Sequence, residues 1–161
     1  MKLMLDLFSG LGGASEAFLL SEKWRVQRFD SNPELGLVPN TQIEDLLEFE
    51  DFPTNVELLW ASPPCLDFSQ AFHAPGPVAA RAGEEFDPDL ELIKRAIELR
   101  DSIKPRYWIF ENVIGAIPHF QELLGEPRQI VKPFVFWGNF PLMDIPRDFE
   151  HLKGDIDPVS Y

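Results

Sequence analysis

The sequence predicts an α/β domain built on a mainly parallel sheet with helices on both faces. Short apolar runs recur along the chain, and glycines or prolines follow most of them, as at the ends of strands. Segments with helical spacing separate the runs in the order βαβ…βαβ…β, which is typical of a parallel sheet. The 161 residues, 45% of them hydrophobic, suffice for one core, so residues 1–161 are predicted to form a single domain.

The first third of the chain predicts two strands around a glycine-rich turn. Residues 2–8 form an apolar run that a turn at 9–13 stops, and residues 14–21 have a helical pattern. Residues 24–29 predict a second strand that ends at Asp30. Residues 41–52 are acidic and amphipathic, which leaves a short strand and a helix both open.

The remainder predicts three strands and one clear helix. The strands cover residues 56–60, 107–110 and 134–137, and a helix with apolar residues at helical spacing runs from Asp87-Pro88 to about residue 102. Residues 114–124 are weakly helical and Gly125 is a candidate cap. Residues 66–87 are predicted to be a mobile active-site loop because they contain three prolines or glycines close together and little periodicity. Residues 142–161 are expected to form an irregular tail.

Composition limits the location and the partners of the protein. No apolar run reaches the roughly 18–20 residues that cross a membrane, and Asp6 comes too early for a secretory signal. A single cysteine makes a reducing, cytoplasmic setting the simplest expectation. One cysteine and three scattered histidines lack the spacing of a metal site, so no metal is predicted.

The formal net charge of −13 is unusual for a protein that acts on nucleic acid. Phosphate binding normally needs a basic patch, but the 14 Lys and Arg residues are scattered along the sequence. Three explanations stay open: a small-molecule enzyme, a nucleic-acid enzyme that uses a partner or a local patch, and adaptation to high salt.

The first chemical constellation is the glycine-rich turn with Asp30. Glycines after a first strand let the backbone approach a ligand, and a carboxylate about twenty residues further on is placed to bind ribose hydroxyls. The dinucleotide fingerprint is only partly met, because Ser15 occupies the position of the third glycine. A tight turn with a solvated aspartate is the alternative.

The second constellation surrounds Cys65, the only cysteine. Two prolines directly before it stiffen a loop at the carboxyl end of a strand, the edge where open α/β sheets bind ligands. An accessible thiol with a lowered pKa would be a nucleophile there. A cysteine buried as a small hydrophobic residue is the alternative.

The third constellation is Glu111-Asn112-Val113, at the end of the predicted strand 107–110. A carboxyl beside apolar side chains has a raised pKa and can donate a proton at neutral pH. A structural salt bridge is the alternative. All three constellations come directly after strands, so they are expected to converge on one rim of one sheet.

Together these blocks resemble the DNA (cytosine-5) methyltransferases, and small phage- or virus-type members most of all. The blocks are Asp6-Leu-Phe-Ser-Gly-Leu-Gly-Gly13, Ser62-Pro-Pro-Cys65 with Phe68-Ser69, and Glu111-Asn-Val113; a late Trp137-Gly-Asn-Phe-Pro141 stretch also matches. The resemblance covers about residues 3–141 and implies a Rossmann-like S-adenosylmethionine-dependent methyltransferase fold, acting in DNA methylation or restriction-modification.

The resemblance also implies roles for individual residues. Cys65 would attack C6 of cytosine, Glu111 would protonate the base, and Asn112 would brace the cysteine loop, with Ser69 as a fourth catalytic residue. The cofactor S-adenosylmethionine would be held by a set of rim residues: Asp6, Phe8, Ser9, Gly10, Leu11, Gly12, Gly13, Asp30, Asp45 and Pro64. Substrate contacts would come from a smaller set: Pro63, Phe68, Arg81 and Arg128. The DNA cytosine would be flipped out of a duplex or already single-stranded.

This sequence departs from the better-known members of that family in three respects. Leu66 and Asp67 replace the Gln and Pro that usually come after the cysteine, and Arg128 and Lys132 match the downstream arginine block only loosely. A target-recognition domain is absent from the 161 residues, so a second subunit is one expected source of target recognition. A catalytically degenerate subunit and an enzyme acting on free cytosine nucleotides are the alternative functions.

Overall fold

The computed structural model describes residues 1–144 and shows one seven-stranded sheet. The strands are β1 Lys2–Leu7, β2 Trp24–Asp30, β3 Thr41–Ile43, β4 Leu58–Ala61, β5 Tyr107–Val113, β6 Gln129–Val131 and β7 Phe134–Gly138. The helices are α1 Glu16–Leu19, α2 Pro75–Ala82, α3 Glu91–Ile103 and α4 Ile117–Leu124, with short 3-10 helices at Pro33–Leu37, Leu66–Phe68 and Ile114–Ala116.

The strand order is β3-β2-β1-β4-β5-β7-β6. The first five strands in this order are parallel, whereas β7 is antiparallel to both β5 and β6. The predicted mainly parallel sheet is therefore confirmed, with an antiparallel hairpin at one edge that the sequence did not indicate.

Each face of the sheet has its own hydrophobic core. The larger core joins the sheet to α3 and α4 through residues such as Ile93, Ala96 and Phe120. The smaller core contains Met4 and Ile109, and Phe18 of α1 packs against it. Helices on both faces are thus confirmed. Within the described residues no helix is both long and apolar enough to cross a membrane.

Several predicted boundaries are wrong. The helix expected at 14–21 is a single turn. Of the two alternatives left open for the acidic segment 41–52, the short strand is found, and it covers the first three residues. The segment 66–87 is not one loop, because it contains α2, which begins at a proline and ends at Gly83 in the left-handed conformation. Strand β5 extends to Val113, so Glu111 lies inside the strand and not after it. Residues 145–161 of the expected tail lie outside the described residues.

Candidate active site

The three constellations meet because their strands are neighbours. Strand β1 pairs with β4 and β4 pairs with β5, all parallel, so the segments after β1 and β4 lie at the same rim as the end of β5. The glycine turn (residues 8–13) comes directly after β1, and the cysteine loop (residues 62–69) comes directly after β4. This rim is the candidate active site.

The glycine turn is shaped by left-handed backbone and by the carboxylate of β2. Phe8, Gly10 and Gly12 have φ angles of 57°, 51° and 81°. The amide of Gly10 donates to Asp30 Oδ2 at 2.9 Å, and the other oxygen of Asp30 accepts from the amide of Asn32 at 3.0 Å. Asp30 therefore fixes the turn to β2 and still faces the rim with its remaining lone pairs.

A buried arginine, which the sequence did not single out, supports the turn from below. Arg28 on β2 is 1% exposed, and its guanidinium donates to Gly12 O at 3.0 Å and to Glu16 at 2.8 Å. Its Nε donates to Ser15 Oγ at 2.8 Å. A Cβ at position 12 would collide with this guanidinium, which explains why glycine is needed there.

Asp6 belongs to the same buried network. Its Oδ2 accepts from the Ser15 hydroxyl, whereas its Oδ1 is buried without a partner. Burial raises the pKa of Asp6 to about 6, although the Ser15 hydrogen bond and the Arg28 charge both lower it. Asp6 thus supports the turn from inside the protein; its side chain does not face outward from the turn.

A cavity of about 210 Å³ opens between the glycine turn and the cysteine loop. Its lining consists of Phe8, Asp30, Ser31, Asp45, Leu46, Ser62, Pro64 and Leu92. Apolar walls with two carboxylates suit a nucleoside, because an aromatic or aliphatic wall contacts the base and carboxylates accept from hydroxyl and amino groups. The residues present therefore fit the adenosine part of S-adenosylmethionine. Leu11, 80% exposed, lies on the outside of the turn.

The thiol of Cys65 is exposed, so the buried alternative is wrong. The residue begins the 3-10 helix Leu66–Phe68. Two contacts hold the cysteine loop in place: Asn112 Nδ2 donates to Pro63 O at 3.0 Å, and the buried ring of Phe68 packs against Phe120 with ring centroids 5.0 Å apart. The Phe68 ring therefore supports the loop from the core side.

Gly115 and Ser69 complete the support of the cysteine loop. A Cβ at position 115 would collide with the carbonyl oxygen of Phe68, so the loop backbone lies directly on this glycine. Ser69 Oγ accepts from the amide of Ala71 at 3.1 Å and closes a local turn. The close approach at Gly115 was not predicted, because only the tertiary contact with the loop reveals it.

Glu111 is half-buried on β5, next to the cysteine loop. Burial raises the pKa of its carboxyl, and a hydrogen bond from the Ser62 side chain partly offsets that rise. The salt-bridge alternative finds no support among the described residues, since none of their ion pairs includes Glu111. A half-buried carboxyl of this kind can hold a proton closer to neutral pH than a solvated one.

Comparison with known proteins fits this arrangement. The family model described as C-5 cytosine-specific DNA methylase matches residues 3–134, which is well over half of the chain. The chain belongs to this family.

A viral relative and two solved structures are similar as well. A frog virus 3 protein named "Probable DNA (cytosine-5)-methyltransferase" is 29% identical over 117 residues, which cover 68% of this chain and 52% of that protein. The chain therefore spans about half the length of this relative. An E. coli prophage protein described as a candidate DNA modification methyltransferase has a TM-score of 0.51 at 16% identity. The match covers 86% of this chain and 46% of the prophage protein. TrmN from Thermus thermophilus has a TM-score of 0.53 at 14% identity, and the match covers 85% of this chain and 43% of TrmN.

Family membership gives the fold and the cofactor together. C-5 cytosine methylases use S-adenosylmethionine as methyl donor, and the two solved structures share the methyltransferase fold with this chain. The glycine turn, the cysteine loop and the Glu111-Asn112 pair all lie within the matched residues 3–134.

Two arginines predicted to bind substrate make contacts outside the three constellations. Arg81 on α2 is exposed, stacks on the ring of Phe72 at 3.9 Å and donates to its carbonyl oxygen. Arg128 precedes β6, two strands from Glu111, and its Nε donates to Phe140 O at 3.3 Å. The structure does not bring Arg128 to the Glu111 carboxyl.

Proposed function

We propose that this C-5 cytosine methylase transfers a methyl group from S-adenosylmethionine to C5 of a cytosine in DNA, with Cys65 as the nucleophile. The observation that carries the proposal is the shared rim. An exposed thiol lies in the loop after β4, and a half-buried carboxyl with a raised pKa lies on the adjacent strand β5. Ser62 and Pro64 of the same loop line the nucleoside-sized cavity.

The proposed chemistry uses the thiol and the carboxyl in one addition step. The Cys65 thiolate adds to C6 of the cytosine while Glu111 gives a proton to N3, and the electron pair of the C5–C6 double bond makes C5 nucleophilic. When bound, S-adenosylmethionine supplies the methyl group that C5 takes up. A base then removes the proton from C5, the S–C6 bond breaks to restore the thiolate, and N3 returns its proton to Glu111.

The remaining rim residues serve binding and alignment in this proposal. Asp30 and Asp45 would accept hydrogen bonds from the ribose and adenine of the cofactor, and Pro64 and Phe8 would contact its apolar surfaces. Asn112 holds the cysteine loop through Pro63 O, which sets the position of the thiol relative to Glu111. The target base must be flipped out of the stack or single-stranded, because C5 and C6 are unreachable inside a duplex.

Covalent trapping tests the nucleophile. Incubating the protein with S-adenosylmethionine and an oligonucleotide containing 5-fluorocytosine should leave a stable adduct, since fluorine at C5 cannot be removed as a proton. Because Cys65 is the only cysteine, Cys65→Ser should abolish the adduct. An adduct that persists in this variant would remove Cys65 from its assigned role.

A second candidate, methylation of free cytosine nucleotides, is favoured by the net charge of −13, which repels a polyanion more than a mononucleotide. Comparing dCMP with single-stranded and duplex DNA as methyl acceptors separates the two. Transfer to dCMP alone would establish the second candidate. Failure of all three acceptors together with no calorimetric binding of the cofactor would indicate a degenerate subunit.

A further inference from the structure

Two side chains, Trp60 and Ser62, form a row with the Glu111 carboxyl on one face of the sheet. In the parallel pairing of β4 with β5, Trp60 is opposite Ile109 and Ala61 opposite Phe110. One residue beyond this pairing, the same register places Ser62 beside Glu111. The hydrogen bond from Asn112 to Pro63 O shows that the two chains still lie side by side one residue further on. Because side chains alternate along a strand, Trp60, Ser62 and Glu111 lie on the same face.

The hydrogen bonds along this row run in one direction. The indole Nε1 of Trp60 donates to Ser62 Oγ at 2.8 Å. An indole N–H is only a donor, so the Ser62 oxygen must accept and its own hydrogen stays available. The register places this hydroxyl next to the Glu111 carboxyl, where a hydrogen bond from Ser62 lowers the pKa of Glu111 and can use that hydrogen.

Packing holds the tryptophan at the start of the row. The Trp60 ring meets the Phe136 ring edge-on, with centroids 6.0 Å apart. Phe136 on β7 is the antiparallel partner of Glu111. The same phenylalanine therefore contacts the tryptophan and flanks the carboxyl, which leaves the indole little freedom to turn away.

We propose that Trp60 and Ser62 are positioning residues that fix the Glu111 carboxyl, so that one oxygen accepts from Ser62 and the other is left to carry the proton given to the base. The inference rests on the proposed function, because it concerns the proton donor of that reaction. It explains how a carboxyl with two equivalent oxygens presents its proton in one direction.

We call the row Trp60–Ser62–Glu111 the relay. None of the charged groups around Glu111 replaces Ser62 as its main polar contact. On the same face, β1 presents Asp6 opposite Trp60, two strands from Glu111, and β7 presents Phe136. Beyond β7, Gln129 is neutral, and the exposed Arg128 beside it is turned to Phe140 O. The nearest loops add the thiol of Cys65, the carboxyl of Asp67 and the ammonium of Lys132 at the rim.

Carbon-13 NMR titration of the glutamate carboxyls in the full chain tests the relay without DNA or cofactor, with Glu111→Gln used to assign the signal. Ser62→Ala should raise the pKa of Glu111 by about one unit, because it removes a hydrogen bond to the charged form. Trp60→Phe should raise it less, since the hydroxyl remains but loses its fixed direction. Ser62→Thr keeps the hydroxyl and should preserve the wild-type value.

Trp108→Phe is the matched control, because Trp108 is a half-buried tryptophan on β5 whose side chain alternates to the opposite face from Glu111. It should leave the Glu111 titration unchanged. Equal pKa values in wild type, Ser62→Ala and Trp60→Phe would overturn the relay. Should Ser62→Ala fail to fold, Trp60→Phe and Ser62→Thr still decide the matter.

The pH profile of methyl transfer links the relay to catalysis. The rate of methyl transfer should fall at high pH, where Glu111 loses its proton. Ser62→Ala should move the pH of this fall upward by the change in pKa seen in the NMR titration. A fall that stays at the same pH while the NMR pKa moves would overturn the assignment of this proton to the reaction. Absence of transfer in the wild type would instead refute the proposed function, and the titration would still decide the relay.

Discussion

Asp6 should make the stability of the protein fall as the pH rises from below 3.8 to above 6. Burial raises the pKa of this carboxyl from 3.8 to about 6 in the folded protein. Below pH 3.8 the group is protonated in both the folded and the unfolded state, so its full contribution is present. As the pH rises through 6, the unfolded chain has already ionised while the folded protein must ionise a buried carboxyl, and the contribution is lost.

The size of the effect can be worked out from the shift. A difference of about two pKa units corresponds to ~3 kcal/mol of unfolding free energy. Asp6→Asn cannot ionise and therefore lacks this loss. Urea denaturation followed by tryptophan fluorescence, at several pH values across this window, should show the variant gaining ~3 kcal/mol relative to wild type.

Comparison with Asp101→Asn separates this effect from general charge. The pKa of Asp101 is lowered by its hydrogen bond to Arg100, so its contribution has the opposite sign, and its exposure keeps it small. A free-energy difference between Asp6→Asn and wild type that stays constant across the window would refute the reasoning, because burial would then not outweigh Ser15 and Arg28.

The strands that the sequence predicted well are those with a clear stop signal. Strands β1 and β4 end at a glycine turn and at consecutive prolines, and both are mostly apolar and buried on both faces. Strand β6 was not predicted, because it has only three residues, none of them fully buried, and no stop signal follows a buried apolar run there. β5 was cut short at Phe110, since an unpartnered glutamate is costly inside a strand, but Ser62 supplies Glu111 with a hydrogen bond there.

The clearest helix prediction came from a helix that buries one face. Helix α3 buries Ile93, Ala96 and Leu99, which is the spacing that identified it. Helix α2 buries no residue, so its sequence shows no apolar stripe, and its opening Pro75-Gly76-Pro77 resembles loop composition. Proline is tolerated in the first turn because its missing N–H would be unpaired there.

Some residues of the candidate site could be predicted from local sequence, and others could not. Cys65, Glu111 and the glycine turn could be found because local composition placed each beside a strand end. Ser62 owes its position to the register of two strands separated by 49 residues. Arg28 is buried because of its tertiary contacts, and the sequence did not single it out. Neither tertiary relationship has a local sequence signal, so the residues that support the site emerged only from the structure.

Two further substitutions test the packing beneath the rim. Arg28→Met leaves the partners of a buried guanidinium unpaired and should cost about 3–5 kcal/mol, whereas Arg25→Met, at an exposed position of β2, should change stability by less than about 0.5 kcal/mol. Equal losses in urea denaturation would show that the buried network contributes little. Gly115→Ala places a methyl group against the carbonyl oxygen of Phe68, so the cysteine loop must shift. A displacement of about 1 Å is enough to slow 5-fluorocytosine trapping about hundredfold. Gly36→Ala is the control, since its Cβ would meet its nearest neighbour at an ordinary 3.7 Å. If both alanine variants trapped the oligonucleotide at the wild-type rate, contact with the backbone at position 115 could not be what places the thiol.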